Sequence, residues 1–354
     1  MMKEFVNKRV FVGLSGGVDS AVSAALLKEA GAKVTGVFIK GWYPPQLPCT
    51  WRADRRDAMR VAAHLQIPFL TLDASKEYKT AVIDYLIREY ALGRTPNPDI
   101  MCNREVKFGA FYRYARVQSA DFIATGHYAR VERGVAGETN LLRGTDPSKD
   151  QSYFLWAISK EVLPHLIFPV GNLLKEEVRK YAKRFTLPVA TKKDSQGICF
   201  LGDISIEDFL KSEIGLTSGI AYDESGNQIG THGGVVAYTL GERVSLIDAP
   251  AGPWYVLAKR IRENELVVSH LPYATSQGVG RDIKLAATNW FVRPVPQEIY
   301  QAQYRYHGLE IAGTYDTENS VFKPSESPKD TLSPGQSLVL YRGNCVVGGG
   351  SIEA

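Results

Sequence analysis

The sequence predicts an α/β protein with a parallel sheet in its first part and a small antiparallel β-barrel at its C-terminal end. Three observations carry this prediction. From Arg9 to Phe185, apolar β-branched runs alternate with amphipathic helical stretches, the pattern of strands joined by helical crossovers. A glycine turn joins the first apolar run to the first helical stretch, as in a strand–loop–helix unit. After Asp282 only short alternating segments remain, which suits a small barrel rather than an open α/β sheet.

The first unit is 10–20. Val10, Phe11 and Val12 form an unbroken apolar strand. The helix after it starts with Asp19 or Ser20 as cap, carries Val22, Ala25, Leu26 and Ala30 on one face, and closes at Gly31. Gly16 and Gly17 between them permit backbone angles closed to other residues and let a ligand approach the amides. A glycine turn leading into a helix N-terminus is an anion site, because free N–H groups and the helix dipole point the same way.

Further strands are expected at 33–39, 68–72 and 121–125, and helices at 52–64, 78–90, 104–116 and 174–185. Pro96 and Pro98 predict an extended turn that excludes helix at 93–103. Residues 130–144 read as a hairpin, and 146–154 as the opening of a helix. The bland account of Lys175, Lys180, Lys183 and Arg184 is a solvated helix face. A boundary falls near Gly202. Residues 205–212 read as a short helix with Ser205 and Asp208 as a near capping box. Residues 219–234 are turn-rich, and 254–259 and 265–270 form two strands. The barrel segments are 284–287, 299–306, 309–315, 320–323, 337–341 and 345–352.

At 354 residues the chain is long enough for two or three domains. Its 44% hydrophobic and 23% charged residues are ordinary for a globular protein, and a net charge of +4 permits a polyanionic partner without demanding one. No apolar run reaches membrane-spanning length and no signal-peptide core is visible. Four cysteines without close pairing make no disulfide framework. A reducing cytoplasm is the simplest expectation. The absence of Cys-x-x-Cys argues against zinc or an iron–sulfur cluster; no metal-ligating set is expected from the protein.

Cys102 and Cys199 lie in polar, turn-like loops. Asp99 could accept a proton from Cys102, although as a bare charge it would raise the thiol pKa. Lys192 and Lys193 could favour a thiolate at Cys199. Chemistry alone leaves both thiols open between a function and none. Cys345 reads as inert strand filling. His127 follows a buried strand at the ligand edge, where a functional and a structural role are equally open.

Ser15-Gly-Gly-Val-Asp-Ser20 lacks the lysine of the G-x-x-x-x-G-K-[ST] loop and instead resembles the PP-loop of the ATP pyrophosphatases. Joined with Thr-Pro-Asn-Pro-Asp-Ile-Met-Cys-Asn at 95–103, Thr-Gly-His-Tyr at 125–128, Lys-Asp-Gln-Ser-Tyr-Phe-Leu at 149–155, Asp-Ser-Gln-Gly-Ile-Cys-Phe at 194–200, Pro-Gly-Gln at 334–336 and Gly-Gly-Gly at 348–350, it resembles the bacterial-type tRNA-specific 2-thiouridylases along nearly the whole chain. The resemblance implies a Rossmann-like PP-loop domain at 1–202, a small central domain at 203–280 and a tRNA-contacting barrel at 281–354. It implies ATP and Mg2+ around Gly13, Leu14, Ser15, Gly16, Gly17, Val18, Asp19, Ser20, Ile39 and Gly126. It implies AMP transfer to the wobble uridine of lysine, glutamate and glutamine tRNAs, with Cys199 as persulfide carrier, Cys102 as nucleophile and Asp99 as acid or base. Asn97, Pro98 and Asp99 would face the flipped base. His127, Lys149, Asp150, Gln151, Arg305, Tyr306 and Gln336 would contact tRNA. Sulfur would come from a cysteine desulfurase, directly or through a carrier protein.

The chain departs from that pattern in three places. Gly241-Glu-Arg-Val-Ser245 stands where the family usually reads Gly-Gln-Arg-Lys-Gly, which predicts a weakened tRNA backbone contact. Around 304–307 the usual Arg-Tyr-Arg matches only as Arg305 and Tyr306. Gly41 replaces a usual asparagine. A PP-loop ligase that activates a carboxylate, and a non-catalytic RNA-binding protein on the same scaffold, are the competing readings; both leave the two cysteines without work.

Overall fold

The computed structural model describes residues 3–44, 51–134, 137–194, 205–271, 282–329 and 331–353. The chain divides into two compact units. The first comprises 1–82, 99–202 and 343–347, and the second 83–98, 203–342 and 348–354.

The first unit holds β1 (Arg9–Gly13), α1 (Val18–Glu29), β2 (Lys33–Lys40), α2 (Trp51–His64), β3 (Phe69–Asp73) and α3 (Ser75–Tyr78). A π-helical turn at Lys79–Ile83 carries the chain into α4 (Asp84–Ala91), which belongs to the second unit. Next come α5 (Pro98–Met101), a π-helical stretch Cys102–Ala110, α6 (Phe111–Val117), β4 (Phe122–Ala124), β5 (Ala129–Arg133), β6 (Thr139–Arg143), β7 (Leu166–Ile167) and α7 (Lys175–Arg184). The sheet is parallel, in the order β3-β2-β1-β4-β7. Its central strand is buried on both faces, with Val10 and Val12 fully inaccessible. That burial explains why β1 reads as a continuous apolar run rather than an alternation. Val22, Leu27, Val178 and Ala182 share the same core as α1 and α7 pack together.

Three sequence expectations are corrected here. Helix α1 begins at Val18 after Gly17, with no side-chain cap, instead of starting from Asp19 or Ser20. Pro98 opens a helix where the prolines were expected to exclude one. The first helical position needs no N–H partner, so proline costs nothing there. Residues 146–154 give only a 3-10 turn at Ser152–Leu155.

In the second unit, α8 (Ile206–Ile214) is capped by Ser205, whose Oγ accepts from Asp208 N at 3.0 Å. Strands β8 (Gly219–Tyr222), β9 (Gln228–His232), β10 (Arg243–Val244), β11 (Trp254–Arg260) and β12 (Glu265–Ser269) form an open sheet in the order β10-β11-β12-β8-β9. The turn-rich 219–234 is therefore a hairpin. Val244, Trp254, Val256, Leu266 and Val268 fill its core. Strands β13 (Ile283–Trp290), β14 (Tyr300–Gln303), β15 (Glu310–Asp316), β16 (Val321–Pro324), β17 (Ser337–Arg342) and β18 (Cys345–Ile352) run β13-β16-β15-β14-β17-β18, and pairing of β13 with β18 closes a six-stranded antiparallel barrel. Tyr300, Phe322 and Tyr341 on its strands, and Tyr304 just after β14, are fully buried.

Among the described residues no helix is long and apolar enough to cross a membrane.

Candidate active site

Strand β1 lies where the sheet order turns, with β2 on one side and β4 on the other. Open α/β sheets bind ligands at the carboxyl ends of strands at such a point. Leu14 N donates to Val37 O at 2.8 Å and its side chain is buried, which fixes the exit from β1 at Gly13. The loop then ties itself together. Ser15 N donates to Ser20 Oγ at 3.2 Å, Gly17 N donates to Ser15 Oγ at 3.3 Å, and Ser20 Oγ donates to Gly17 O at 3.2 Å. Gly16 turns at φ +79°, and a Cβ there would run into the carbonyl oxygen of Asp54. After β4, Gly126 brings its backbone against the start of α1: a Cβ would lie 2.7 Å from Ser20 N. Only glycine fits this approach. The first N–H groups of α1, from Val18 on, thus border a narrow, glycine-walled cradle suited to phosphate. Ile39, half-buried on β2, pairs with Leu72 in the next strand.

The charges around the cradle come from distant positions. Asp19, in the first turn of α1, accepts from Lys175 Nζ at 2.7 and 2.9 Å and from Tyr128 Oη at 2.9 Å. Burial, then Asp19, drives the Tyr128 phenol far above its ordinary range. Asp194 meets Lys149 at 3.6 Å, Lys175 at 2.9 Å and Arg179 at 2.5 Å. Burial pushes its carboxyl up, but the Lys175 hydrogen bond and the three cations bring it below the ordinary value. Lys192 Nζ donates to Gly16 O at 3.1 Å and to Asp54 and Asp57, each at 2.9 Å. Burial works against its charge, yet the two aspartates outweigh it and raise the pKa. Lys175 is therefore not part of a solvated face, although Lys180, Lys183 and Arg184 are exposed as expected. Lys192 is committed to Asp54 and Asp57. Lys175, Tyr128 and Asp54 border the cradle without the sequence having pointed to them for it, and Lys192, read in the sequence as a neighbour of Cys199, reaches Gly16 instead. A cation or hydroxyl is visible in the sequence, but its partner is not.

Cys102 is a buried free thiol at the start of the π-helical stretch. Asn103 beside it is buried and donates to Phe154 O at 3.1 Å. Asp99 lies one helical turn earlier, half-buried. Burial raises its carboxyl pKa, opposed by the Lys107 charge. A carboxyl so poised exchanges a proton more readily near neutral pH than an exposed one. Asn97 is half-buried and Pro98 buried just before it. Cys199 and Cys49 lie outside the described residues. Among the described residues no group of acids, histidines or cysteines gathers as a metal site.

The residues expected at tRNA divide into two kinds. Lys149 is partly exposed and Tyr306 is 37% exposed, packed against the His307 ring. The others are turned to the fold. His127 is buried between Phe108 and Phe168, its Nδ1 2.7 Å from Thr125 Oγ1. Burial, with Lys107 nearby, holds its pKa well below the usual value, so the ring is neutral. Asp150 accepts from Gly144 N, Ser152 N and Ser152 Oγ. Gln151 bonds both backbone groups of Tyr128, at 3.0 and 2.8 Å. Arg305 donates to Thr331 O at 3.0 Å and Leu240 O at 3.4 Å. Gln336 keeps its Oε1 buried with no hydrogen-bond partner among the described residues. At the divergent 241–245 segment, Val244 is buried opposite Trp254. That position is core in this chain, so the loss of lysine there removes no exposed cation.

A glycine cradle at the switch point of a parallel sheet, ringed by half-buried lysines and aspartates, defines a PP-loop nucleotide-using protein. Family models described as "tRNA methyl transferase HUP domain", "tRNA methyl transferase PRC-barrel domain" and "Aminomethyltransferase beta-barrel domain" match residues 8–203, 207–270 and 280–352. A tRNA-specific 2-thiouridylase MnmA of Oceanobacillus iheyensis is 39% identical over 99% of this chain and 96% of its own length. Those of Halalkalibacterium halodurans and Pseudomonas fluorescens are each 42% identical over 98% of this chain and 94% of theirs. The chain belongs to the MnmA family of tRNA-specific 2-thiouridylases.

Proposed function

We propose that this chain is an ATP-dependent tRNA sulfurtransferase that replaces oxygen by sulfur at carbon 2 of the wobble uridine in lysine, glutamate and glutamine tRNAs. The observation that supports it best is the pairing, in one unit, of a phosphate cradle with a buried thiol, Cys102, one helical turn after a carboxyl held high in pKa. Methyl transfer, which the family models' names mention, gives neither feature work.

The chemistry needs both. A uracil carbonyl oxygen leaves poorly. Transfer of AMP to it from ATP, with pyrophosphate departing from the cradle, makes it a good leaving group. Cys199 carries a persulfide delivered by a cysteine desulfurase or carrier protein. Sulfur reaches carbon 2 by one of two routes, as sulfide released when the Cys102 thiolate attacks the inner sulfur or by direct attack of the outer persulfide sulfur followed by that same Cys102 attack; in both AMP departs and the Cys102–Cys199 disulfide forms. An external thiol then reduces the disulfide. Asp99 accepts the Cys102 proton. Asn97 and Pro98 border the target base, and Lys149, Tyr306, Arg305 and Gln336 serve the tRNA. His127, Asp150 and Gln151 act by shaping the loops that do so. Asp19 fits magnesium arriving with the nucleotide, since such ions take one or two carboxylates and phosphate oxygens. When bound, that ion would neutralise the phosphates. The division into 1–202, 203–280 and 281–354 and a cytoplasmic setting belong to the same reading.

Transfer of labelled sulfur from a desulfurase to unmodified lysine tRNA tests it. Wild type and Cys345→Ser should label the tRNA in the presence of ATP, and Cys102→Ser should fall to background. Label in Cys102→Ser would overturn the assigned thiol chemistry. AMP release onto another acceptor, with no label in any protein, would favour a PP-loop ligase.

A further inference from the structure

Helix α2 carries more positive charge than its own acids balance. We propose that Arg52, Arg56 and Arg60, exposed in a row along α2, form a phosphate-tracking surface that takes the backbone of the RNA substrate. This rests on the tRNA reading above and adds a contact to it.

Three observations carry it. The first is spacing. The three arginines stand four residues apart in Trp51–His64, and all are exposed. Four residues rise about 6 Å along a helix and keep to one face, so the guanidiniums form a single row. Like charges at that spacing destabilise a helix. Arg52, in the first turn, also opposes the helix dipole. A row that weakens its own helix is explained by an anion outside it.

Second, the acids near the row are engaged. Asp54 and Asp57, the carboxylates of α2, both accept from Lys192. Arg60 shares Asp57 at 3.5 Å, yet its side chain stays 63% exposed. Arg55 turns aside, to Thr71 Oγ1 at 3.0 Å and the Phe69 ring. Four arginines and Lys192 are thus set against two aspartates. The surroundings do not restore the balance. Asp73 pairs with Lys40 and Glu29 with Arg184. At the far end of α2, His64 Nε2 lies 2.8 Å from Phe185 O, which brings up the last turn of α7 with exposed Lys183 and Arg184. The acids of α7, Glu176 and Glu177, stand at its opposite end.

Third, the row starts at the site. A Cβ on Gly16 would meet the carbonyl oxygen of Asp54, in the first turn of α2. From there the arginines lead away from the phosphate loop. Their chemistry favours nucleic acid over an acidic protein. Protein interfaces are anchored by apolar and aromatic side chains. Here Met59, 42% exposed, is the large apolar side chain on the outer face, and Trp51 is half-buried under Arg52 and Lys40. Guanidinium forks meet phosphate oxygens two at a time and need no apolar partner. Asp150, Gln151 and Arg305, expected at tRNA, direct their polar groups into the fold instead.

Binding of unmodified lysine tRNA to the full-length chain, followed between about 50 and 200 mM salt, tests this. Each phosphate contact contributes about 0.7–0.9 to the slope of log affinity against log salt. Arg52→Gln, Arg56→Gln and Arg60→Gln together should lower the slope by about 2 and weaken binding roughly tenfold to a hundredfold at the low-salt end. Arg56→Gln alone should lower it by about 0.7–0.9, and decides the matter if the triple variant does not fold. Arg52→Lys, Arg56→Lys and Arg60→Lys together should keep the slope. Slope and affinity unchanged in the glutamine variants overturn the proposal. So does thiolation that drops with a persulfide-loaded donor protein while tRNA binding stays as in wild type, which would give the row to an acidic protein. Failure of the wild type to bind any tRNA would overturn the tRNA reading itself, a result distinct from either.

Discussion

The phosphate loop and the 238–242 turn of the second unit are built alike and charged differently. Each turns on a glycine of positive φ, Gly16 at +79° and Gly241 at +78°. Each is held by a lysine donating to a backbone carbonyl, Lys192 to Gly16 O at 3.1 Å and Lys259 to Tyr238 O at 2.7 Å. Lys192 also has two aspartates at 2.9 Å and is held charged. Lys259 is half-buried, desolvation outweighs the pull of Glu242, and its pKa falls to about 8. A loop built to receive an anion is set among balanced charges that can be exchanged. A loop built to hold chain segments together uses backbone bonds and tolerates a half-buried lysine. The 238–242 turn does hold segments together. Glu242 accepts from Thr239 N at 2.8 Å, Thr239 Oγ1 lies 3.3 Å from Thr95 Oγ1, and Leu240 O takes Arg305 and Ser333. Thr95 N in turn donates to Pro334 O at 2.8 Å.

The largest separation between the two loops should come from their glycines. Alanine at either position adds about 1–2 kcal/mol of left-handed strain. At Gly16 the new methyl also meets backbone, the Asp54 carbonyl, while at Gly241 it meets the rotatable Thr331 side chain. Gly16→Ala is therefore expected to lower ATP-dependent thiolation at least about a hundredfold, as misplacement by an ångström does. Gly241→Ala should lower thermal stability and leave thiolation within a few-fold. Equal losses of activity would erase the distinction between receiving an anion and holding chain.

The next effect in size is at Val244. Its side chain is 6% exposed in the central core, paired with Trp254. Val244→Lys buries a charge without a partner and should cost about 3 kcal/mol in urea unfolding. tRNA affinity should not rise. A gain in affinity at unchanged stability would show that the side chain reaches solvent and RNA after all.

These two loops also mark what a sequence reading can reach. The cradle is legible because strand, turn and helix start lie within 10–20, and local backbone rules suffice to order them. The barrel strands are legible within a residue or two for the same reason: alternation at 309–315 appears as Glu310–Asp316. The hairpin Gly219–Tyr222 and Gln228–His232 is not, because glycines and the polar stretch 223–228 interrupt its few apolar residues and its burial comes from non-local pairing with β12. The same limit hides the charged ring. Lys175 lies 156 positions from Asp19, and Lys192 lies 176 from Gly16. In sequence each is one more cation on a polar stretch. His127 shows the converse: its position at a strand end is legible, but its burial between two phenylalanines is not.

The smallest predicted effect, and the one that reads the charge difference most directly, is in alkaline stability. Burial lowers Lys259 to about 8, against the opposing pull of Glu242, while an unfolded lysine titrates near about 10.4. Between those values the unfolded chain binds a proton that the folded chain does not, so this residue makes stability rise with pH across that window. Lys192 behaves oppositely. Its pKa is raised, so its contribution is complete below the unfolded value and is lost only as pH climbs through the folded one. Urea midpoints measured from pH 7 to 10 should therefore climb less steeply in Lys259→Met than in wild type. Lys192→Met should shift the midpoints by a constant amount over the same range. A parallel shift in both variants would mean that Lys259 keeps its proton like Lys192, and that the two loops do not differ in charge.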